Sequence, residues 1–131
     1  LGKTKKIKNK HSYHLNCLVW NLEYIGLNPS EIKWIMKEGI WRKETTRDTI
    51  SLCDLIVVTY KDHGIPIELK CTTAQRSKAI EQIYYGRLFI ENNLFMFSPF
   101  GLFVTYEPQR YGYERIGFSQ VDNQWQKELK T

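Results

Sequence analysis

Residues 51–71, SLCDLIVVTYKDHGIPIELKC, decide how this chain folds. Two apolar runs, 52–60 and 65–71, flank the sequence Lys61-Asp62-His63-Gly64. Val, Ile and Leu dominate both runs, and Asp-His-Gly can turn, so the stretch predicts a β-hairpin through the middle of a sheet. Alternation along the second strand sends Ile65, Ile67 and Leu69 to one side and Glu68 and Lys70 to the other. Antiparallel pairing about the turn returns the end of the second strand beside the start of the first. Asp54 is therefore expected near Glu68, on the same side. Two carboxylates and a lysine gather on an otherwise apolar sheet.

Buried charge is costly and has to be compensated. One explanation is a structural ion pair, with Lys70 satisfying Glu68 or Asp54. The other is chemistry. Two carboxylates on rigid strands are what a hard divalent ion takes, with water and substrate phosphate completing its shell. A neighbouring ammonium can orient the attacking water and steady developing negative charge. Phosphodiester hydrolysis fits that set.

Asp54, followed after a hairpin by Glu68-Leu69-Lys70, resembles the PD-(D/E)xK nuclease superfamily, with Cys53 where the motif has Pro. Cys71-Thr72-Thr73 and a following helix with Gln82 are similar to archaeal Holliday junction resolvases and RecB-type nucleases. The likeness covers roughly residues 41–92. It implies a restriction-endonuclease-like α/β fold, a mixed central sheet flanked by helices. It also implies Mg²⁺ or Mn²⁺ held by Asp54, Glu68 and the Leu69 carbonyl, with Lys70 aligning water and Gln82 supporting the site. A Glu on the first helix often completes such a site, which makes Glu23 the first candidate. Glu44, preceding the hairpin, is its rival, and Asp48 a weaker third.

With 131 residues and 15.6 kDa, the chain has room for one domain and one core. Its composition, 42% hydrophobic and 25% charged, belongs to a folded soluble protein. No apolar run is long enough to span a membrane or serve as a signal peptide. Cys17, Cys53 and Cys71, odd in number and without close pairs, predict reduced thiols in a cytosolic, intracellular setting. The chain opens on Leu-Gly without Met, as a trimmed chain would.

Nineteen basic against fourteen acidic residues leave a net charge of +5. The first ten residues carry that whole excess as Lys3, Lys5, Lys6, Lys8 and Lys10. They read as a flexible basic arm, 1–10, ahead of a nuclease domain, 11–131. Lys5, Lys6, Lys8 and Lys10 would touch nucleic-acid phosphates without reading sequence; a solvated end is the alternative. Arg42, Lys43 and Arg47, with Arg76 and Lys78 at the start of a later helix, are further phosphate contacts.

The helix is expected to begin at His11, its stripe formed by Leu15, Leu18, Val19, Leu22 and Ile25 and its stop at Gly26. His11 and His14 read as residues of its first turns, near phosphate at most. Asn28-Pro29-Ser30-Glu31 signals a second helix burying Ile32, Ile35 and Met36. Residues 40–50 suggest an edge strand and loop, 77–92 a helix, and 94–97 and 102–106 two further strands. Aromatics in the tail, Tyr111, Tyr113, Phe118 and Trp125, would either stack on bases or cover the sheet.

The expected activity is metal-dependent cleavage of DNA by a homodimer, with Holliday junction or branched DNA preferred. A sequence-specific restriction-like or homing endonuclease and a catalytically silent nucleic-acid-binding subunit remain alternatives.

Overall fold

The computed structural model describes residues 2–38, 52–107 and 111–118, with the backbone alone for 2–9. Helix α1 (Gly2–Trp20) is followed by a 3-10 turn, Leu22–Ile25, which Gly26 closes at φ 82°. Strands β1 (Ile32–Lys37), β2 (Leu55–Thr59) and β3 (Gly64–Lys70) come next. Helix α2 (Arg76–Phe89) runs into a π-turn, Ile90–Leu94, before β4 (Gly101–Thr105) and β5 (Gly112–Ile116). The strands form one sheet in chain order, antiparallel throughout except for the parallel β3–β4 pair.

The expected hairpin is β2–turn–β3. Leu55 pairs with Ile67 and Val57 with Ile65, so alternate residues feed opposite layers. Leu55, Val57, Ile65, Ile67 and Leu69 join Leu102 and Val104 beneath Leu18, Leu22 and Ile25. On the other face, Ile56 and Val58 meet Phe89 and Ile90, while Phe103 and Ile116 meet Ala79, Ile80 and Ile83. The sheet is thus covered by α1 on one side and α2 on the other. Each buried Leu or Ile contributes about 1.5–3 kcal/mol relative to exposure. Gly86 lets α2 approach closely: a Cβ there would lie 2.6 Å from Cys53 Sγ and 2.8 Å from Pro66 Cβ.

Several expectations change. Helix α1 begins at Gly2, not His11, so the lysine-rich stretch expected as an arm has helical backbone. The predicted second helix is absent: Asn28 does accept a hydrogen bond from the Ser30 N–H at 3.1 Å, but it caps only the 3-10 turn Pro29–Glu31. Ile32, Ile35 and Met36 belong to β1, held by pairing to β2. The strand expected at 94–97 is replaced by the π-turn and by Phe95 at φ 55°, although Phe97 makes a single bridge to His63. Residues 102–106 fall largely on β4, whereas β5 was not anticipated. The strand and loop expected at 40–50 lie outside the described residues. Cys17, Cys53 and Cys71 are free thiols. Among the described residues, no helix is long and apolar enough to cross a membrane.

Candidate active site

Continuing the β2–β3 register by one residue places Asp54 opposite Glu68, where β3 runs on past the start of β2. Both side chains are buried, Glu68 at 2% exposure and Asp54 at 6%. The Asp54 N–H donates to Glu68 Oε1 at 2.9 Å, and the Leu69 N–H donates to Asp54 Oδ2 at 2.9 Å. Lys70 shares the face of Glu68, its Nζ 3.1 Å from Glu68 Oε2. Asp54, Glu68 and Lys70 are therefore brought together as the alternation predicts.

A fourth group comes from α1. His11 Nε2 lies 3.2 Å from Asp54 Oδ2 and 3.1 Å from the Leu69 carbonyl oxygen. Both neighbours are acceptors, so Nε2 carries the proton in this arrangement. His11 belongs to the stripe of α1 that continues through Leu15 and Leu18, with Leu22 following in the 3-10 turn. One turn further along, buried His14 stacks on Tyr106 at 4.4 Å between ring centroids and meets the Tyr111 hydroxyl at 3.0 Å through Nδ1. Those contacts fix the roll of α1 and with it the aim of His11. Sequence reading missed this role, yet its signal was present: a polar side chain on the buried stripe of a helix, as Glu68 is on a buried strand.

The electrostatics follow from burial. The Glu68 carboxyl is pushed up to about 9, first by desolvation and then by the charge of Asp54, with Lys70 pulling the other way. The ion pair with Lys70 does not offset burial beside a second carboxylate. Near neutral pH, Glu68 accordingly holds a proton. The His11 imidazole is raised, chiefly by its hydrogen bond to Asp54, against the opposing effect of burial. Cys53, behind the carboxylates, is pushed well above the ordinary thiol value by burial.

Asp54, Glu68 and the Leu69 carbonyl could offer hard oxygens to Mg²⁺ or Mn²⁺, and His11 could add an imidazole nitrogen only once Nε2 had given up the proton that it holds here. A cation between the carboxylates would also oppose the burial and the Asp54 charge that raise the Glu68 carboxyl. Among the described residues, no three His, Cys, Asp or Glu side chains form a ready-made metal cage. The carboxylates instead use their oxygens on backbone N–H groups and on Lys70.

The other candidates fall in different places. Glu23 is exposed on the turn after α1. Trp20, the last residue of α1, is already about 14 Å along the helix axis from His11, so Glu23 does not join the carboxylates. Glu44, Asp48, Arg42, Lys43 and Arg47 lie outside the described residues, as does Trp125. Gln82 is half-buried on the sheet-facing stripe of α2 with Ala79, Ile83 and Gly86. Lys5, Lys6 and Lys8 belong to the part of α1 that extends beyond His11. Lys10 pairs with Glu107 beside the Tyr106 ring. Arg76 is held by two hydrogen bonds to Glu114, at 2.8 and 2.7 Å, whereas Lys78 is exposed. Tyr111 is buried against His14, so it covers the sheet and does not present its face for stacking.

In comparisons with family models, curated proteins and solved structures, the chain matches none.

Proposed function

We propose that the protein is a metal-dependent endodeoxyribonuclease of the restriction-endonuclease-like type, hydrolysing DNA phosphodiester bonds at Asp54, Glu68, Lys70 and His11. The observation that carries this reading is the convergence of two buried carboxylates, a lysine, a carbonyl and an imidazole at one end of the central hairpin. A purely structural ion pair needs neither the second carboxylate nor the histidine.

Asp54, Glu68, the Leu69 carbonyl and His11 would hold Mg²⁺ or Mn²⁺, the imidazole favouring Mn²⁺. When bound, the ion would supply Lewis-acid polarisation of the phosphate and charge neutralisation. Glu68, ionised once a cation displaced its proton, would keep Lys70 at the site, and the Lys70 ammonium can donate to an attacking water and to the phosphoryl oxygens as negative charge develops on them. Gln82, approaching on α2 from the face of Glu68, supports the same region. Lys3, Lys5, Lys6 and Lys8 belong to the segment of α1 that precedes His11 and would add affinity for phosphate without base readout. That arrangement favours branched or junction DNA recognised by its backbone geometry, cleaved by a homodimer with two sites.

The test is nicking of supercoiled plasmid by the purified chain in Mn²⁺ and in Mg²⁺, then cleavage of matched junctions, flaps and linear duplexes of unrelated sequence. Cuts that follow the branch point support the reading. Cuts that stay with one sequence in linear duplex move it to restriction-like or homing cleavage. DNA binding without metal-dependent cleavage under either ion makes the protein a silent nucleic-acid-binding subunit.

A further inference from the structure

Helix α1 and the edge strand β1 lie side by side and run in opposite directions. Lys37 Nζ donates to Asn16 Oδ1 at 3.1 Å, and further along, Trp20 lines one groove with Ile32, Lys33 and Trp34. The groove has a volume of about 310 Å³. Its two largest side chains are open to solvent, Trp20 at 84% exposure and Trp34 at 54%. Together they leave roughly 300 Å² of aromatic surface in water, the size at which a patch on a monomer is often functional. Lys33 is the one charged residue among those lining the groove, and its Nζ lies over the Trp34 ring, 4.5 Å from the centroid. Among the described residues, no carboxylate holds Lys33 or Lys37 in an ion pair.

The partner that matches two indoles and an unpaired cation is flat, with apolar faces and negative charge between them. Successive nucleotides of an unpaired strand have that form, whereas a duplex keeps its base faces stacked on one another. We propose that the groove binds single-stranded DNA, with bases stacked on Trp20 and on the open face of Trp34 and a phosphate on Lys33. The same crevice leads to the carboxylates. At the far end of β1, the Glu38 N–H donates to the Asp54 carbonyl at 3.2 Å, and α1 brings His11 to the same place. Trp34 is four residues from Glu38, about 13 Å along β1, which matches the span of α1 between Trp20 and His11. Lys37 stands between the two ends. A strand seated in the groove reaches Asp54 within about four nucleotides at a rise of about 3.4 Å. Stacking in the groove stands on these contacts alone; that the strand is DNA and runs on to Asp54 rests on the nuclease reading.

Fluorescence anisotropy of a short labelled oligothymidine with the full chain in excess chelator tests the proposal, alongside a duplex and an oligouridine of the same length. Trp20→Ala and Trp34→Ala should each weaken oligothymidine by about tenfold, the loss of one stacked base, and leave the duplex within about twofold. Trp20→Phe and Trp34→Phe, which keep a ring, should retain most of the affinity. Lys33→Ala should lower the slope of log affinity against log salt by about 0.7, the share of one phosphate on a single strand. Chelator removes the cleavage step, so this pattern in a chain that nicks no plasmid under either ion would sink the nuclease reading and still support the groove. The proposal is overturned if oligothymidine does not bind, if both alanine variants at the tryptophans bind it as wild type does, or if they weaken the duplex equally. Binding of oligouridine alone would also overturn it, as would a dimer that the two alanine substitutions dissolve while strand binding is unchanged.

Discussion

The two ends of the β2–β3 hairpin are made from the same apolar strands and treat their acidic residues in opposite ways. At the turn, Asp62 is exposed and sits at φ 59°, serving only chain reversal. At the other end, Asp54 and Glu68 are buried, hydrogen-bonded to backbone N–H groups and faced by His11 and Lys70. An exposed acid in a turn costs almost nothing and requires no partner. A buried pair of carboxylates costs several kcal/mol, and such an expense is concentrated where chemistry requires it.

The largest contrast is expected in activity. Asp54→Asn or Glu68→Gln should lower plasmid nicking by about three orders of magnitude, the effect of losing several kcal/mol of charge stabilisation. Asp62→Asn should leave the rate within about twofold, as a surface change away from the site. Equal rates for the Asp54 and Asp62 variants would erase the distinction between the two ends.

A second contrast lies in the dependence of stability on pH. Glu68 has a folded value of about 9 against an ordinary 4.5, so the native state binds its proton more tightly than the unfolded chain does. Stability without metal should therefore be greatest below about pH 4.5 as far as this group is concerned, and fall as pH rises to about 9. The slope contributed is at most about 1.4 kcal/mol per pH unit. Denaturant titrations from pH 5 to 9 should show the decline in wild type and a flatter profile in Glu68→Gln. A wild-type profile as flat as the variant's would mean that Glu68 is not held protonated.

Packing along the hairpin gives a smaller effect. Gly86→Ala improves helix propensity by up to about 1 kcal/mol, but its methyl meets Cys53 and the Pro66 ring. A net loss of about 1–3 kcal/mol is expected from overpacking, readable as a lowered denaturation midpoint. A gain in stability would show that α2 can shift away from the hairpin. Smallest is Asp62→Gly, where the left-handed backbone suits glycine; a change below about 1 kcal/mol is expected.

The hairpin was legible because strand alternation makes its charged residues conspicuous against Val, Ile and Leu. The α/β layering followed from it, as did the grouping of Asp54, Glu68 and Lys70. The β1 segment was not legible: Ile32, Ile35 and Met36 fit helical spacing, and the cap at Asn28 is real. Pairing with β2 overrides that local preference. His11 could not be assigned because its partner is 43 residues away and the contact arises only when α1 packs on the sheet. Glu23 has the carboxylate expected of a first-helix ligand but lies beyond the far end of that helix from His11. Arg76 reads as a phosphate contact by type, and Glu114, on a strand not anticipated, already engages its guanidinium.

As proposed, His11 and the two carboxylates would act as one divalent-cation site. That proposal is tested most directly by Mn²⁺ binding to the folded chain, followed by electron paramagnetic resonance of the free ion without nucleic acid. Tight binding of at least one Mn²⁺ is expected, strengthening from pH 6 to 9 as Glu68 releases its proton, weakened by His11→Ala, and lost in Asp54→Ala and Glu68→Ala. Circular dichroism should show all three variants folded. Mn²⁺ binding that is absent from wild type, or unchanged across the three folded variants, would contradict it.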